Sequence, residues 1–217
     1  MSKAFIFDMD GVLVDSEHGW LPFETPMLER VLGKEMTAKV GDTTGLGLEK
    51  LYEKARALGS TITKEEIVTG YNSVVNDVYA HAPLTQGSNA LAEKLIAMGF
   101  KLGLVTQSPQ NWIDHVLPRL AFKDSLEAII SLEDRPELGF KPAPGGYIEA
   151  LRVLNADPKA SFVLEDSNLG IAAGKASGAF TIGFRGNLVE SYQQTGADAY
   201  SDTMEDVTKI VETKMKA

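Results

Sequence analysis

Short apolar runs alternate with helical patterns along most of this 217-residue chain, and that alternation narrows the possible folds more than any other feature. Each run is rich in aliphatic and aromatic residues and is followed by polar residues or glycine. We predict buried strands at residues 4–7, 102–105, 128–130, 162–164 and 180–182. Strands of this kind, separated by helices, form βα units. The predicted fold class is therefore α/β, with a doubly wound parallel sheet.

Between the predicted strands, apolar residues recur at helical spacing. Ile148, Leu151 and Leu154 fall on one face of a predicted helix. Residues 170–176 are also predicted to be helical despite two glycines, because small residues let a helix lie close to a sheet. Gly178 is expected to end that helix.

A second region interrupts the alternation. Residues 16–82 contain no strand pattern and are predicted to form three amphipathic helices, the third starting with a capping box of Thr63 and Glu66. We interpret this region as a small helical cap inserted after the first strand. Residues 1–15 and 83–217 would then form the α/β core.

Composition excludes several functional classes. The 30 acidic and 21 basic residues give a formal net charge of -9, and an acidic surface repels nucleic acid. The absence of cysteine excludes thiolate zinc sites and a cysteine nucleophile. No stretch approaches the roughly 20 apolar residues that cross a bilayer, and no targeting signal is visible, so we expect a cytoplasmic protein with no membrane contact. The predicted core and cap need all the apolar stripes, which favours a monomer.

Two carboxylates follow the first predicted strand. Asp8 comes directly after the apolar run and Asp10 lies two residues further on, at the carboxyl edge where open α/β sheets bind ligands. Two close carboxylates need a cation, or one of them must take up a proton. One can then remain ionised as a nucleophile or ligand while the other acts as acid and base. Taken alone, Asp-x-Asp is more typical of an exposed turn.

Three further sites follow later strands. Thr106 ends the second predicted strand, Lys141 stands on a loop stiffened by two prolines, and Glu165 and Asp166 follow the fourth strand. Each is commonplace by itself, as a capping hydroxyl, a solvated lysine or acids at a helix start. Together they can converge on one edge of the sheet, where oxygen ligands suit Mg²⁺.

The charges of this set suit a phosphate monoester. Asp8, Glu165 and Asp166 are negative and a phosphate monoester carries close to two negative charges, whereas Mg²⁺ and Lys141 supply three positive charges. Phosphoryl transfer depends mainly on positioning and on charge neutralisation. The sequence therefore points to a phosphate monoester as substrate, and the small predicted cap favours a small phosphorylated metabolite over a protein.

In order along the chain, these motifs resemble those of the haloacid dehalogenase (HAD) superfamily. They are Phe-Asp-Met-Asp-Gly-Val-Leu-Val-Asp-Ser-Glu from Phe7, then Thr106, Lys141-Pro142 and Leu164-Glu165-Asp166-Ser167. The chain is similar to the branch with a helical cap after the first strand, which includes β-phosphoglucomutase and many small sugar phosphatases. The resemblance extends over essentially the whole length and implies a Rossmann-like core.

The resemblance also implies a role for each motif residue. Asp8 would attack phosphorus to form an aspartyl-phosphate, and Asp10 would protonate the leaving oxygen and then activate water. Thr106 and Lys141 would hold the phosphoryl oxygens. The implied Mg²⁺ ligands are the Asp8 carboxylate, the Asp10 backbone carbonyl, Asp166, and Glu165 directly or through water.

The same resemblance leaves alternative functions. The expected activity is Mg²⁺-dependent hydrolysis of a sugar phosphate or similar metabolite; the alternatives are a β-phosphoglucomutase-type mutase and a non-catalytic binding relative. The mutases carry an arginine shortly after the glycine that corresponds to Gly41, to grip a second phosphate. Residues 42–45 read Asp-Thr-Thr-Gly, without arginine, which favours hydrolysis.

One departure from the family pattern follows Lys141. Gly145 and Gly146 stand where the family usually has a helix-favouring pair. Because each glycine lowers helix stability by up to about 1 kcal/mol, we expect the following helix to begin loosely.

Overall fold

The computed structural model describes residues 2–43, 46–190 and 192–216. The chain forms two compact units, one made of residues 1–15 and 84–217 and the other of residues 16–83. The described helices, in chain order, are α1 (Ser16–Leu32), α2 (Lys34–Val40), α3 (Leu48–Ala57), α4 (Lys64–Asn72), α5 (Val75–His81), α6 (Ser88–Ala97), α7 (Gln110–Val116), α8 (Gly145–Val153), α9 (Asn168–Ser177) and α10 (Met204–Lys216).

The first unit is built on a parallel sheet. Its strands within the described residues are β1 (Lys3–Phe7), β2 (Phe100–Thr106), β3 (Leu126–Ser131), β4 (Phe162–Glu165), β5 (Phe180–Phe184) and β6 (Ala199–Ser201). They lie in the order β3-β2-β1-β4-β5-β6, and every pair is parallel. The α/β fold class predicted from the sequence is confirmed. The strand order reverses at β1, which creates the topological switch point where such sheets bind ligands.

Both faces of the sheet are buried at β1, as is usual for the central strands of parallel sheets. Ala4 and Ile6 point into a cluster that contains Leu151 and Ala173 of the covering helices. On the opposite face, Phe5 packs against Phe7, Phe100 and Phe162, with ring centroids 4.8 to 6.5 Å apart. This two-sided burial fixes β1 in the middle of the unit and with it the position of the residues that follow.

The second unit is helical, but its helices differ from those predicted. The described part of residues 16–83 contains five helices instead of three. Gly33 at φ 83° separates α1 from α2, and α2 was not predicted because Val40 is its one buried side chain. The predicted third helix is split into α4 and α5 at Ser73, whose hydroxyl donates to the carbonyl of Gly70 and accepts from Arg30.

Two local predictions in this unit have different outcomes. The capping box is confirmed: the Thr63 hydroxyl accepts from the Glu66 amide at 3.2 Å and the Thr63 amide donates to the Glu66 carboxylate at 2.9 Å. The sequence of residues 41–45 also predicts a loop between the first two predicted helices; it is observed at residues 41–43, and Thr44 and Gly45 lie outside the described residues.

The buried face of α8 differs from the prediction. Ile148 is 49% exposed, whereas Tyr147, one residue earlier, is buried with Leu151 and Leu154. Gly145 and Gly146 account for the face of α8 that is buried. A Cβ at Gly145 would lie 1.9 Å from the carbonyl oxygen of Leu138. A Cβ at Gly146 would lie 2.7 Å from the Leu132 side chain. The two glycines therefore allow a close approach that sets the start of the helix.

None of the helices in the described part of the chain has the length and apolarity needed to cross a membrane.

Candidate active site

The strand register brings the predicted site residues to one edge of the sheet. Phe7 pairs with Leu104 on one side and Leu164 on the other, so the residues that follow all three strands meet at their carboxyl ends. Asp8 follows β1, Thr106 ends β2, and β4 ends at Glu165. The Asp8 amide continues the ladder by donating to the Leu164 carbonyl at 3.0 Å. Backbone pairing alone therefore places these three residues at the same edge of the sheet.

A tight turn carries the first motif away from β1. The amides of Val12, Leu13 and Val14 all donate to the Met9 carbonyl, and Gly11 takes φ 71°, a left-handed conformation that glycine adopts without strain. A Cβ at Gly11 would lie 2.0 Å from the Asp166 carboxylate. The glycine therefore allows Asp166 to approach the turn that holds Asp10.

Lys141 forms the centre of a buried ionic network. Its ammonium donates to Asp8 Oδ1 at 2.6 Å and also to Glu165 Oε1. All three side chains are at least nine-tenths buried. Tyr147 joins the network from α8, where its hydroxyl donates to Glu165 Oε1 at 2.5 Å. A buried ammonium between two carboxylates is held in one place, which a surface lysine would not be.

This burial shifts the pKa values of the network. Burial raises the pKa of Asp8 well above its ordinary value of 3.8, with Lys141 opposing the rise and Glu165 adding to it. For Lys141, burial lowers the pKa, but the two carboxylates outweigh burial and the pKa lies above its ordinary value. Burial and the nearby Glu165 raise the pKa of Tyr147, so its hydroxyl remains a donor. Asp8 is therefore the group whose ionisation requires additional positive charge.

Asp10 and Thr106 lie next to this network with different partners. The Ser108 hydroxyl donates to Asp10 Oδ2 at 2.6 Å, and Asp10 is only partly buried. The Thr106 hydroxyl accepts from the Ser108 amide at 3.0 Å, which orients a buried side chain at the end of β2. Ser108 thus connects the end of β2 to the turn after β1.

Three carboxylates form a group that can hold a metal ion. Asp8, Glu165 and Asp166 are buried, and each offers an oxygen within 4.8 Å of the others. When all three are ionised, the one ammonium among them leaves two negative charges unbalanced. Hard oxygen ligands with two surplus negative charges match a divalent cation such as Mg²⁺, so these three carboxylates fit such an ion.

The sequence did not reveal Ser108 or Tyr147 as members of the site. Ser108 follows Thr106 by two residues, and its hydrogen bond reaches Asp10 98 positions away in the sequence. Tyr147 was hidden by the assignment of Ile148 to the buried face. A tyrosine at helical spacing with Leu151 and Leu154, six residues after the loop lysine, was the available signal.

Comparison with known proteins identifies the family. Residues 5–184 match the model of the haloacid dehalogenase-like hydrolases. The chain belongs to this family. It is 31% identical to hexitol phosphatase B of Escherichia coli K12 over 179 residues, which cover 80% of this chain and 79% of that protein. It is 27% identical to validoxylamine A 7'-phosphate phosphatase of Streptomyces hygroscopicus subsp. limoneus over 199 residues, covering 84% and 85% respectively.

A solved structure shares the fold. CbbY from Rhodobacter sphaeroides, solved in complex with phosphate, superimposes with a TM-score of 0.74 at 21% identity, covering 95% of this chain and 96% of that one. The family membership and the enzyme class predicted from the sequence, a HAD-type phosphoric monoester hydrolase, are confirmed.

Proposed function

We propose that the protein is a Mg²⁺-dependent phosphatase of small phosphorylated sugars or sugar alcohols, and that it works through an aspartyl-phosphate on Asp8. The observation that supports this most strongly is the buried contact of Lys141 with Asp8 at 2.6 Å beside the acidic group at the carboxyl edge of the sheet. A carboxylate there can approach a phosphate ester only if positive charge surrounds both.

The charges at the site account for the need for a metal. A phosphate dianion would add two negative charges to the two that Lys141 leaves unbalanced, and the resulting repulsion would exclude it. The Asp8 and Asp166 carboxylates and the Asp10 carbonyl would hold Mg²⁺, with Glu165 in contact directly or through water. The ion would supply the charge neutralisation that phosphoryl transfer requires, and would lower the pKa of Asp8.

The side chains around Asp8 divide the remaining tasks. The Lys141 contact with Oδ1 orients the Asp8 carboxylate for attack on phosphorus, and Lys141 and Thr106 hold the transferring oxygens. Asp10 gives its proton to the leaving oxygen and then takes one from the water that hydrolyses the aspartyl-phosphate. Ser108 holds Asp10 in the orientation that both steps need.

The substrate class is inferred from the relatives. Hexitol phosphatase B and validoxylamine A 7'-phosphate phosphatase are named for polyhydroxylated phosphate esters, and this chain spans about four-fifths of each. Their names support a polyhydroxylated ester here. In this proposal residues 1–15 and 83–217 carry the chemistry, and residues 16–82 form the helical cap.

A panel assay tests the proposal. Hexitol, hexose and glycerol phosphates, with β-glucose 1-phosphate among them, would be incubated with the protein and Mg²⁺ while free phosphate and glucose 6-phosphate are followed. We expect free phosphate, highest from a hexitol or hexose ester, and its loss when a chelator is added. Phosphate release that persists with the chelator, or no release from any ester, would contradict the proposal. Glucose 6-phosphate without free phosphate would identify a mutase instead.

A further inference from the structure

The Glu165 carboxylate is surrounded by protein donors. Lys141 and Tyr147 donate to Oε1, and the amide and hydroxyl of Ser167 donate to Oε2 at 3.3 and 3.2 Å. Glu165 has no exposed surface. A buried carboxylate is tolerated only when its oxygens are bonded, and here both of them are. These contacts leave Glu165 directed towards the lysine.

Gly170 approaches the same carboxylate from α9. A Cβ at this position would lie 2.0 Å from the carboxyl carbon and from both oxygens. The first turn of α9 therefore packs against Glu165 with no room for a side chain. The carboxylate is fixed on one side by this helix and on the other by the Tyr147 hydroxyl from α8.

We propose that Tyr147 is a positioning residue, which acts through Glu165 to hold the Lys141 ammonium at Asp8. The inference rests on the function proposed above. Tyr147 is 1% exposed, and its hydroxyl donates to Glu165, so the hydroxyl acts on the reacting groups through that carboxylate. The lysine side chain is a flexible four-carbon chain, and a second fixed acceptor restricts the position of its ammonium group.

The arrangement also separates the roles of the two adjacent acids. With two donors on each of its oxygens, Glu165 would reach the metal only through water, which narrows the two possibilities given above. Asp166 and Asp8 would then be the carboxylates that coordinate the metal directly. The sequence assigned both Glu165 and Asp166 to the metal. The two acids can be compared directly, because replacing either by its amide removes one charge from the same group.

The Tyr147→Phe variant tests the positioning role. It keeps the ring that packs at 5.6 Å from the Lys141 ammonium and removes only the hydroxyl. We expect kcat to fall about tenfold or more, with KM and the calorimetric Mg²⁺ affinity in the absence of substrate both within about twofold of wild type. Tyr200→Phe is the matched control, since its hydroxyl accepts a backbone amide in the same unit, and it should leave kcat unchanged.

A second set of variants establishes that the effect passes through Glu165. Glu165→Gln should lower kcat more than Tyr147→Phe, and adding Tyr147→Phe to it should cause no further loss. Gly170→Ala should reduce kcat in the same way by displacing the carboxylate from the α9 side. Glu165→Gln should weaken Mg²⁺ binding by less than about threefold, whereas the charge-matched Asp166→Asn should weaken it by more than tenfold.

Several outcomes would overturn the inference. A normal kcat for Tyr147→Phe would remove the positioning role, and additive losses in the double variant would mean that Tyr147 acts by another route. Equal losses of Mg²⁺ affinity in Glu165→Gln and Asp166→Asn would make Glu165 a metal ligand. If the wild-type protein hydrolyses no ester, the proposed function fails. If it hydrolyses esters and Tyr147→Phe equals Tyr200→Phe, only this inference fails.

Discussion

The first motif holds two carboxylates in different surroundings, Asp8 (the inner acid) and Asp10 (the outer acid). Asp8 is 5% exposed and is bonded to the ammonium of Lys141 within the buried acidic group. Asp10, two residues further on, is partly buried and is bonded to the neutral hydroxyl of Ser108. Two aspartates only two residues apart thus lie in different environments, Asp8 beside a charged group and Asp10 beside a neutral polar one.

The contrast indicates how the two acids divide the work. A carboxylate beside a fixed cation stays in one orientation and suits a nucleophile, provided that it is ionised. A carboxylate with a hydroxyl partner and access to solvent can exchange a proton with a leaving group or water. Pairs of carboxyl groups in unlike environments commonly take different roles in this way.

Replacing the inner acid should have the largest effect. Asp8→Asn removes the proposed nucleophile while keeping the side-chain shape, so we expect phosphate release to fall by at least about 10⁴-fold. Steady-state phosphate release measures this, and circular dichroism should be unchanged. Activity within tenfold of wild type in the purified variant would remove Asp8 from the chemistry.

Replacing the outer acid should slow the reaction without abolishing it. Asp10→Asn should reduce turnover of alkyl phosphates by about 10²–10⁴-fold, because the leaving alkoxide must be protonated. With an aryl phosphate, the rate of phosphoryl transfer to Asp8 should fall less, because a phenolate is stable enough to leave without a proton. Rapid-quench measurement of that step with both ester types tests this. Equal losses for alkyl and aryl esters would mean that Asp10 is not the proton donor.

Removing the partner of the outer acid should have a smaller effect. Ser108→Ala deletes one hydrogen bond to a carboxylate, a contribution of about 1.5–3 kcal/mol, so kcat should fall by about 10- to 10²-fold. Ser108→Thr should recover much of the loss. Ser131→Ala, a buried serine at the end of β3 whose hydroxyl accepts a backbone amide, is the control. A normal rate for Ser108→Ala would separate the hydroxyl from the function of Asp10.

The two acids should also differ in stability without metal. Because burial raises the pKa of Asp8, folded protein prefers its protonated form, and stability declines as pH rises from about 3.8 through the raised pKa. Asp8→Asn mimics the protonated form, so it should raise the melting temperature at pH 7 by about 2–4 °C per kcal/mol gained. Thermal unfolding with a chelator at pH 5 and pH 8 measures this. A variant less stable than wild type at both pH values would contradict the expectation.

The sequence predicted the fold and the edge of the site well because both depend on local patterns. The five predicted strands lie within β1 to β5, since each is a short run of mainly aliphatic and aromatic residues followed by polar residues or glycine. β6 (Ala199–Ser201) was missed because it has three residues at the sheet edge and exposes Tyr200, so it carries no apolar run. The grouping of Asp8 with Glu165 follows directly from the parallel order of the strands.

Features that depend on distant contacts could not be predicted in this way. The break at Ser73 involves Arg30, 43 residues earlier, and the contact of Ser108 with Asp10 has no local signature. The start of α8 is set by the approach of Gly145 to Leu138. The resulting one-residue error in the buried face of the helix hid Tyr147, whose hydroxyl donates to Glu165.

The central claim is that a phosphoryl group passes through Asp8, and the most direct test is to trap it there. Asp10→Asn would be mixed with an aryl phosphate and Mg²⁺, quenched in acid, and analysed by intact-mass and peptide mass spectrometry. We predict one phosphoryl group on the peptide that contains Asp8, sensitive to hydroxylamine, and none with a chelator or in the Asp8→Asn variant. Turnover without any modified peptide, together with hydrolysis by Asp8→Asn, would contradict the account.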